Sequence, residues 1–372
     1  MRNHASPSAR EAVANPKLTR PDWKTAEPRD RSKLWLDKNE NSDRMFAELT
    51  RRVVHEVVDD LAPFALHTYP DSAPFYRKLA SQLGVDPANL LLAAGSDGVI
   101  RSVFEAFVAE GDRVMHSRPT FAMYAVYCLM YGANVTTLDY ERSDKGPLLT
   151  ADRVCSAIRQ IRPKVMCLPN PDSPTGTVFE LSQIRQIIEA AGEVESLILI
   201  DEAYHPFHSQ TVVPWIRQFP HLVVARTFAK AWGVAGLRIG YAVASPEVTQ
   251  LLHKVRPMYE VNTLAVAVMN RLLDYRNDME ACVARLNAGR DWFLSQMEQL
   301  GLPTIHCHGN FLHVAFGKHA QAIHSALEPL VLYRRDASDE CLRGFSRFSA
   351  ATQETFQPIV DRIRDVVQGR LS

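Results

Sequence analysis

The sequence predicts an α/β protein in which a large domain built on a mostly parallel, doubly wound sheet is joined to a smaller α+β domain. Two observations carry this expectation. Between about residues 90 and 245, short apolar runs alternate with stretches of helical periodicity, the pattern of strand–helix–strand units whose parallel strands are buried on both faces. After Pro246 the alternation stops: helical periods run to about residue 300, followed by short strands and a closing helix. The 372 residues, 46% hydrophobic and 23% charged, suffice for two domains with a sizeable core. The expected division is 1–44 as an arm and part of the small domain, 45–255 as the large domain, and 256–372 as the small C-terminal domain.

Composition narrows the partners. Lys+Arg and Asp+Glu both number 42, so net charge points neither to nucleic acid nor to an anionic membrane, and a small molecule is the expected partner. No apolar run reaches the length of a membrane span and the amino terminus lacks the apolar core of a secretory signal, so the expected location is cytoplasmic. The six cysteines are scattered without a CxxC pair and read as buried thiols. His205 and His208 have no third ligand at a supporting spacing, so no metal site is expected.

In chain order, residues 1–33 are polar and rich in Pro and Arg, with Leu18 and Trp23 as apolar anchors, and read as an arm. LWLDKNEN (34–41) suits a short strand entering a loop, residues 45–61 are helical, and residues 67–71 form a turn that presents Tyr69. In AAGSDGVIRSVFEAF a helix starts near Ser96 or Asp97, just after Gly95. Its free N–H groups make an anion site, while a plain Ser/Asp N-cap explains the same residues. A short strand ends at Met115, and a helix opens near Pro119 with Phe121 in its first turn, placed for core packing or for lying on a planar ligand. A strand at 135–138, a helix at 151–161 and a strand at 165–168 lead into the polar turn NPDSPTGT. A strand at 197–200 is followed by Asp201 and Tyr204. A strand at 222–225 runs into TFAKAWGVAGLRIGY, which sets Lys230 just past a strand end, where ligands of open α/β sheets bind, and Arg238 beyond it. Gly233, Gly236 and Gly240 allow tight bends or close backbone approach there. Residues 303–316 and 330–348 supply short strands, and a helix begins at Gln353. No GxGxxG opens a helix after a strand, which argues against a nicotinamide or flavin.

A lysine that forms an imine and an arginine that grips an anion are what pyridoxal phosphate chemistry requires. The ordered motifs LDKNEN, TYPD, GSDG, PTF, NPDSPTGT, DEAY and TFAK with its arginine resemble the class I/II aminotransferases of the fold type I pyridoxal phosphate group, nearest to the histidinol-phosphate branch, over nearly the whole chain from about Leu34. The resemblance implies that the large domain binds pyridoxal 5'-phosphate and that Lys230 carries it. Asp201 then faces the pyridine nitrogen and Tyr204 bonds the ring hydroxyl. Phe121 stacks on the ring, and Ser96, Asp97, Thr227 and Arg238 hold the phosphate. Tyr69 reaches the phosphate of the neighbouring subunit, which implies a homodimer with shared sites. Arg347 grips the substrate's acidic group, and Arg335, beside Arg334, matches a second arginine that contacts a substrate phosphate. The implied partners are an amino donor and a 2-oxo acid acceptor.

Four departures fall inside this site. Ser173 stands where the family has asparagine before PTG, Ala229 replaces a phosphate-binding serine, Gly98 replaces the glutamate after GSD, and Trp23 takes the place of a tyrosine near the substrate. The same cofactor motifs also serve a decarboxylase, lyase or cyclase, and a binding protein without turnover would share them too.

Overall fold

The computed structural model describes residues 8–20 and 24–371, so Trp23 lies outside the described residues. A one-turn helix α1 (Glu11–Ala14) and strand β1 (Leu34–Trp35) precede helix α2 (Arg44–Asp60), whose N-cap Asp43 accepts the Phe46 N–H at 2.7 Å. Helix α3 (Ala73–Leu83), which the periodicity did not reveal, has a proline in its first turn and ends on Gly84 at φ 67°, a left-handed C-cap.

The α/β run follows as β2 (Leu90–Ala93), α4 (Gly95–Phe107), β3 (Arg113–Arg118), α5 (Met123–Met130), β4 (Asn134–Asp139), a hairpin of β5 (Glu141–Ser143) and β6 (Gly146–Leu148), α6 (Ala151–Ile161), β7 (Val165–Pro169), α7 (Leu181–Glu193), β8 (Leu197–Asp201), β9 (Leu222–Thr227) and β10 (Gly240–Ala244). Among the described residues these strands form a seven-stranded sheet in the order β2-β10-β9-β8-β7-β3-β4. Strand β10 is antiparallel to both neighbours and the other pairings are parallel. Side chains alternate along each strand, so consecutive residues enter opposite cores. Ile198, Ile200, Leu222 and Val224 meet α2, α3, α6 and α7, whereas Leu197, Leu199, Val223 and Ala225 meet α4 and α5. This two-faced burial is why the strands read as continuous apolar runs rather than alternating ones.

Helices α8 (Pro246–Val255), α9 (Thr263–Leu272) and α10 (Arg276–Gln299) follow, then β11 (Thr304–Ile305), β12 (Phe311–Ala315), α11 (Ala320–Leu327), β13 (Val331–Leu332), β14 (Phe345–Ser349) and α12 (Gln353–Val367). Strands β11, β12 and β14 make an antiparallel sheet, and β13 pairs in parallel with β1, which ties residues 34–35 to the C-terminal part. Apolar packing runs across residue 255, where the sequence suggests a division. Helix α9 packs on α2 and α3, and Met279, Cys282 and Leu286 of α10 join the core of the large sheet. Phe293, Leu294 and Met297 of the same helix join the C-terminal core, so the change of core falls inside α10. All six cysteines are free and buried. Among the described residues, no helix is long and apolar enough to cross a membrane and no group of three His, Cys, Asp or Glu side chains is arranged to hold a metal ion.

Candidate active site

A cavity of about 220 Å³ opens at the carboxyl ends of β7, β8 and β9, lined by Ser96, Asp97, Phe121, Ser173, Asp201, Tyr204, Thr227, Lys230 and Arg238, together with Pro169, Pro171, Ala203 and Ala229. It is where an open parallel sheet places its ligands. A second cavity of the same volume, lined by Arg226, His205, Trp232 and Met279 among others, has no lysine in its wall.

The amine of Lys230 donates to the carbonyls of Lys38 at 3.1 Å and Asn39 at 3.0 Å, and stands 5.8 Å from the Tyr204 ring centroid. Burial first, and then the Arg347 cation, push its pKa down to about 8. Asp201 ends β8, buried; it accepts from the Tyr124 hydroxyl at 3.0 Å and the Ala203 N–H at 2.9 Å, and burial without a cationic hydrogen-bond partner pushes its pKa up to about 6. The Tyr204 oxygen accepts from Asn39 Nδ2 at 2.8 Å, Ser173 stands close to it on the cavity wall, and burial raises its pKa.

The phosphate side lies at α4. That helix begins at Gly95 with Ala94 as N-cap and no side-chain cap, so Ser96 and Asp97 sit inside the first turn and the simple capping explanation does not hold. Uncapped N–H groups at a helix start suit an anion. Arg238 lies over this turn: it donates to the carbonyls of Ala94 at 3.3 Å and Ala235 at 3.1 Å, and a Cβ on Gly95, at φ 81°, would come within 2.8 Å of its Nη2. Gly240 is required for the same reason, since a Cβ there would lie 2.6 Å from Gly95 backbone. Asp97 accepts from Tyr127 at 3.1 Å, and Thr227 Oγ1 accepts the Ala229 N–H at 3.1 Å. Phe121 lies before α5 rather than within it, 39% exposed at the cavity wall, edge-on to Tyr124. The departure at Gly98 is filled from elsewhere: Glu260 Oε1 would lie 2.6 Å from a Cβ at this position and accepts the Ala94 N–H at 2.9 Å.

Residues 37–39 meet Lys230 and Tyr204 on one side and the C-terminal part on the other. Arg334 and Arg347 pair through their backbones at 3.0 and 2.7 Å, and both guanidinium groups donate to the Asp37 carbonyl, at 3.2 and 3.3 Å. Arg347 also lies over the Phe311 ring, and burial lowers its pKa. Arg335 does not join them: it reaches Glu328 at 3.5 Å and lies over Tyr333. Successive residues of an extended segment point to opposite sides, so the register puts Arg334, not Arg335, beside Arg347. Tyr69 is 73% exposed, stacks on Tyr259 at 3.9 Å and is not among the residues that line the cavity.

Sequence reasoning missed Asn39, which touches both Lys230 and Tyr204. It is buried at a left-handed φ of 54°, its N–H donates to Ser349 Oγ at 2.9 Å, and its carbonyl also accepts from Asn310 at 2.9 Å. The motif LDKNEN contained it, but neither periodicity nor spacing marks which of its polar residues turns inward. Tyr124 and Asp172 were missed too.

A doubly wound sheet with a lysine, a carboxylate and an arginine at its strand ends has the architecture of the fold type I transferases. The family model for aminotransferase class I and II matches residues 31–363, and the chain belongs to that family. It is an enzyme, an aminotransferase. It is 27% identical over 334 residues to the histidinol-phosphate aminotransferase of Ruminiclostridium cellulolyticum, covering 89% of this chain and 92% of that one. It is 32% identical over 308 residues to histidinol-phosphate aminotransferase 2 of Methylococcus capsulatus, covering 80% and 82%. Among solved structures, histidinol-phosphate aminotransferase from Sinorhizobium meliloti in complex with pyridoxal-5'-phosphate superposes with a TM-score of 0.76 at 21% identity over 91% of each chain, a likeness of fold.

Proposed function

We infer that this aminotransferase holds pyridoxal 5'-phosphate in the 220 Å³ cavity and moves an amino group between an amino acid or amino-phosphate, histidinol-phosphate-like in kind, and a 2-oxo acid. The observation that carries this is the convergence of Lys230, Asp201, Tyr204 and Arg238 on that one cavity. The uncapped start of α4, with Arg238 over Gly95, fits a phosphate held by Ser96, Asp97, Thr227 and Arg238. Phe121 would lie on the ring, Asp201 would face its nitrogen, and Tyr204 and Ser173 its oxygen. When bound, the cofactor supplies an electron sink for the charge left on the substrate's α-carbon.

The chain's own groups would then do the rest. Asp201, buried with no cation, would hold a proton on the ring nitrogen facing it. Lys230 Nζ, its pKa pushed down to about 8 in the free protein, would take the proton that leaves the substrate's α-carbon and pass it on instead of returning it to that carbon. Arg347 and Arg334 would bind the substrate's carboxylate or phosphate. The active unit would be a homodimer with shared sites, in line with Tyr69 being exposed and outside the lining of its own cavity, and the reaction would take place in the cytoplasm.

The test is to load the purified protein with pyridoxal phosphate, reduce it with borohydride and map the label, then offer amino donors including histidinol phosphate. Label on Lys230 and conversion of the cofactor to its amine form by such a donor are expected; label on another lysine overturns the assignment. For the dimer, mixing inactive Tyr69→Phe and Lys230→Ala subunits should restore about a quarter of the sites if subunits exchange at random. An active monomer in sedimentation rules out shared sites.

A further inference from the structure

Asp172, in the turn after β7, is fully buried and holds three strand ends together. It accepts from Ser117 Oγ at 2.6 Å and Thr120 Oγ1 at 2.6 Å, both at the end of β3, and from the Tyr140 hydroxyl, just past β4, at 3.0 Å. Its backbone closes its own loop, with its N–H donating to the Thr177 carbonyl at 3.0 Å and its carbonyl accepting from Gly176 at 2.8 Å. Tyr140 in turn accepts from Thr177 Oγ1 at 2.9 Å. The residues on either side of this carboxylate, Pro171 and Ser173, line the cavity, and Thr120 is joined directly to Phe121, which lines it from another side.

We propose that Asp172 is a positioning residue for the cofactor: its carboxylate fixes the Phe121 wall and the Ser173 wall relative to each other, and does so best when ionised. This rests on the cofactor reading above. An ionised carboxylate is acceptor-only and satisfies all three hydroxyls at once, whereas the protonated form must turn one oxygen into a donor and release or reorient a partner. Burial pushes this pKa up to about 7, so the change of state falls near neutral pH. No hydrogen-bond partner is a cation. The titratable groups that feel its charge are Tyr124 on α5, Tyr140 past β4 and Cys341 before β14, all with raised pKa values, so they remain neutral across this range.

The experiment compares the full chain with Asp172→Asn, in which the side chain is neutral at every pH. The ratio of pyridoxal phosphate Kd values, variant over parent, should rise from near one at about pH 6 to about tenfold at about pH 8, the worth of one buried charge-assisted hydrogen bond. Titration of Asp201 and Lys230 is common to both proteins and cancels in the ratio. A ratio constant over this range overturns the proposal. Hydrogen exchange of the cofactor-free protein decides independently of cofactor uptake. Corrected for intrinsic rates, residues 118–122 and 172–176 should become more protected with rising pH in the parent and not in Asp172→Asn. Thr120→Val, which keeps the carboxylate, should loosen residues 118–122 alone, and unchanged exchange there overturns the proposal. If the parent binds no pyridoxal phosphate the cofactor reading fails, and the exchange result still decides the role of Asp172.

Discussion

Asp201 and Glu202 are adjacent and both buried, yet they meet opposite company. Glu202 is closed: Arg226, buried beside it, donates from Nε at 3.0 Å and Nη2 at 2.8 Å, and Thr211 Oγ1 and the Val212 N–H fill the remaining positions at 2.8 and 2.7 Å. Asp201 receives a hydroxyl and an amide, and no cation. Arg238 on the cavity wall, and Arg334 and Arg347 beside Asp37, are open in the same sense, since among the described residues they donate to backbone carbonyls and to no carboxylate. A buried charge is costly without a countercharge, so charges left open around one cavity describe what the ligand must bring. Here that is a cation opposite Asp201 and anions opposite the arginines. The closed pair on the next residue belongs to the framework.

Breaking each kind of charge should therefore give different losses. Lys230→Ala, on the open side, should lower transamination by at least about 10³-fold and abolish the borohydride-fixed label. Its melting temperature without cofactor should stay close to that of the parent, because the amine is held only by two carbonyls. Arg226→Met, on the closed side, should cost about 3–5 kcal/mol in denaturant unfolding by leaving Glu202 buried and unpaired. Adding Glu202→Gln should recover much of that loss. Equal destabilisation by Lys230→Ala and Arg226→Met would remove the distinction.

The arginines sharpen the comparison further. Arg347→Ala removes a charge-assisted contact worth about 1.5–3 kcal/mol, so kcat/KM for an anionic donor should fall by roughly one to two orders of magnitude. Arg334→Ala should cost less, as Arg334 is more exposed, and Arg335→Ala, turned toward Glu328, should stay within about twofold. Steady-state kinetics of the three variants give the order, and a larger loss at Arg335 than at Arg334 would reverse the register assigned here.

A smaller effect links Lys230 to Arg347. Lys230 titrates at about 8, chiefly through burial and next through the Arg347 cation. Covalent uptake of cofactor by the free protein needs the neutral amine, so its rate should rise with pH through about 8. Arg347→Gln removes a positive charge that disfavours the protonated amine, so it should move the midpoint upward. Stopped-flow uptake across pH measures this, and a midpoint unmoved or lower would mean that the two groups do not sense each other.

The sheet side of the cavity was legible in the sequence because its geometry is simple. A buried apolar run ends, and the next few residues necessarily stand at the sheet's carboxyl edge, which placed Ser173, Asp201, Tyr204, Thr227 and Lys230. The neighbouring segment, residues 37–39 with Arg334 and Arg347, was less legible, because it depends on tertiary pairing that no periodicity records. The two-residue strand β1 lies parallel to β13, and the bridge between Arg334 and Arg347 sets which arginine turns inward. Asn39 escaped because its contacts to Tyr204 and Lys230 reach across 165 and 191 residues of sequence. Glu260 filling the space at Gly98 is a replacement from a distant segment that only the fold brings into register.

Ser173 offers the finest test of the open side. The family's asparagine at this position would donate to the cofactor's ring oxygen; Asn170, three residues earlier, is not among the residues that line the cavity. The Asn170 amide is already committed to Phe179, accepting its N–H at 2.7 Å and donating to its carbonyl at 3.3 Å. Ser173 stands close to Tyr204 on the cavity wall, and the Tyr204 oxygen accepts from Asn39, leaving the tyrosine hydroxyl as the main donor toward the cavity. Ser173→Asn adds a donor that stabilises the anionic ring oxygen, so it should lower the pH midpoint of the bound cofactor's visible spectral change. One neutral donor is worth roughly 1 kcal/mol, somewhat less than one pKa unit. Spectral titration of parent and variant side by side measures the shift. A midpoint unchanged or raised in the variant would mean that Tyr204 and Ser173 together already saturate the oxygen, and that this departure from the family costs the enzyme nothing.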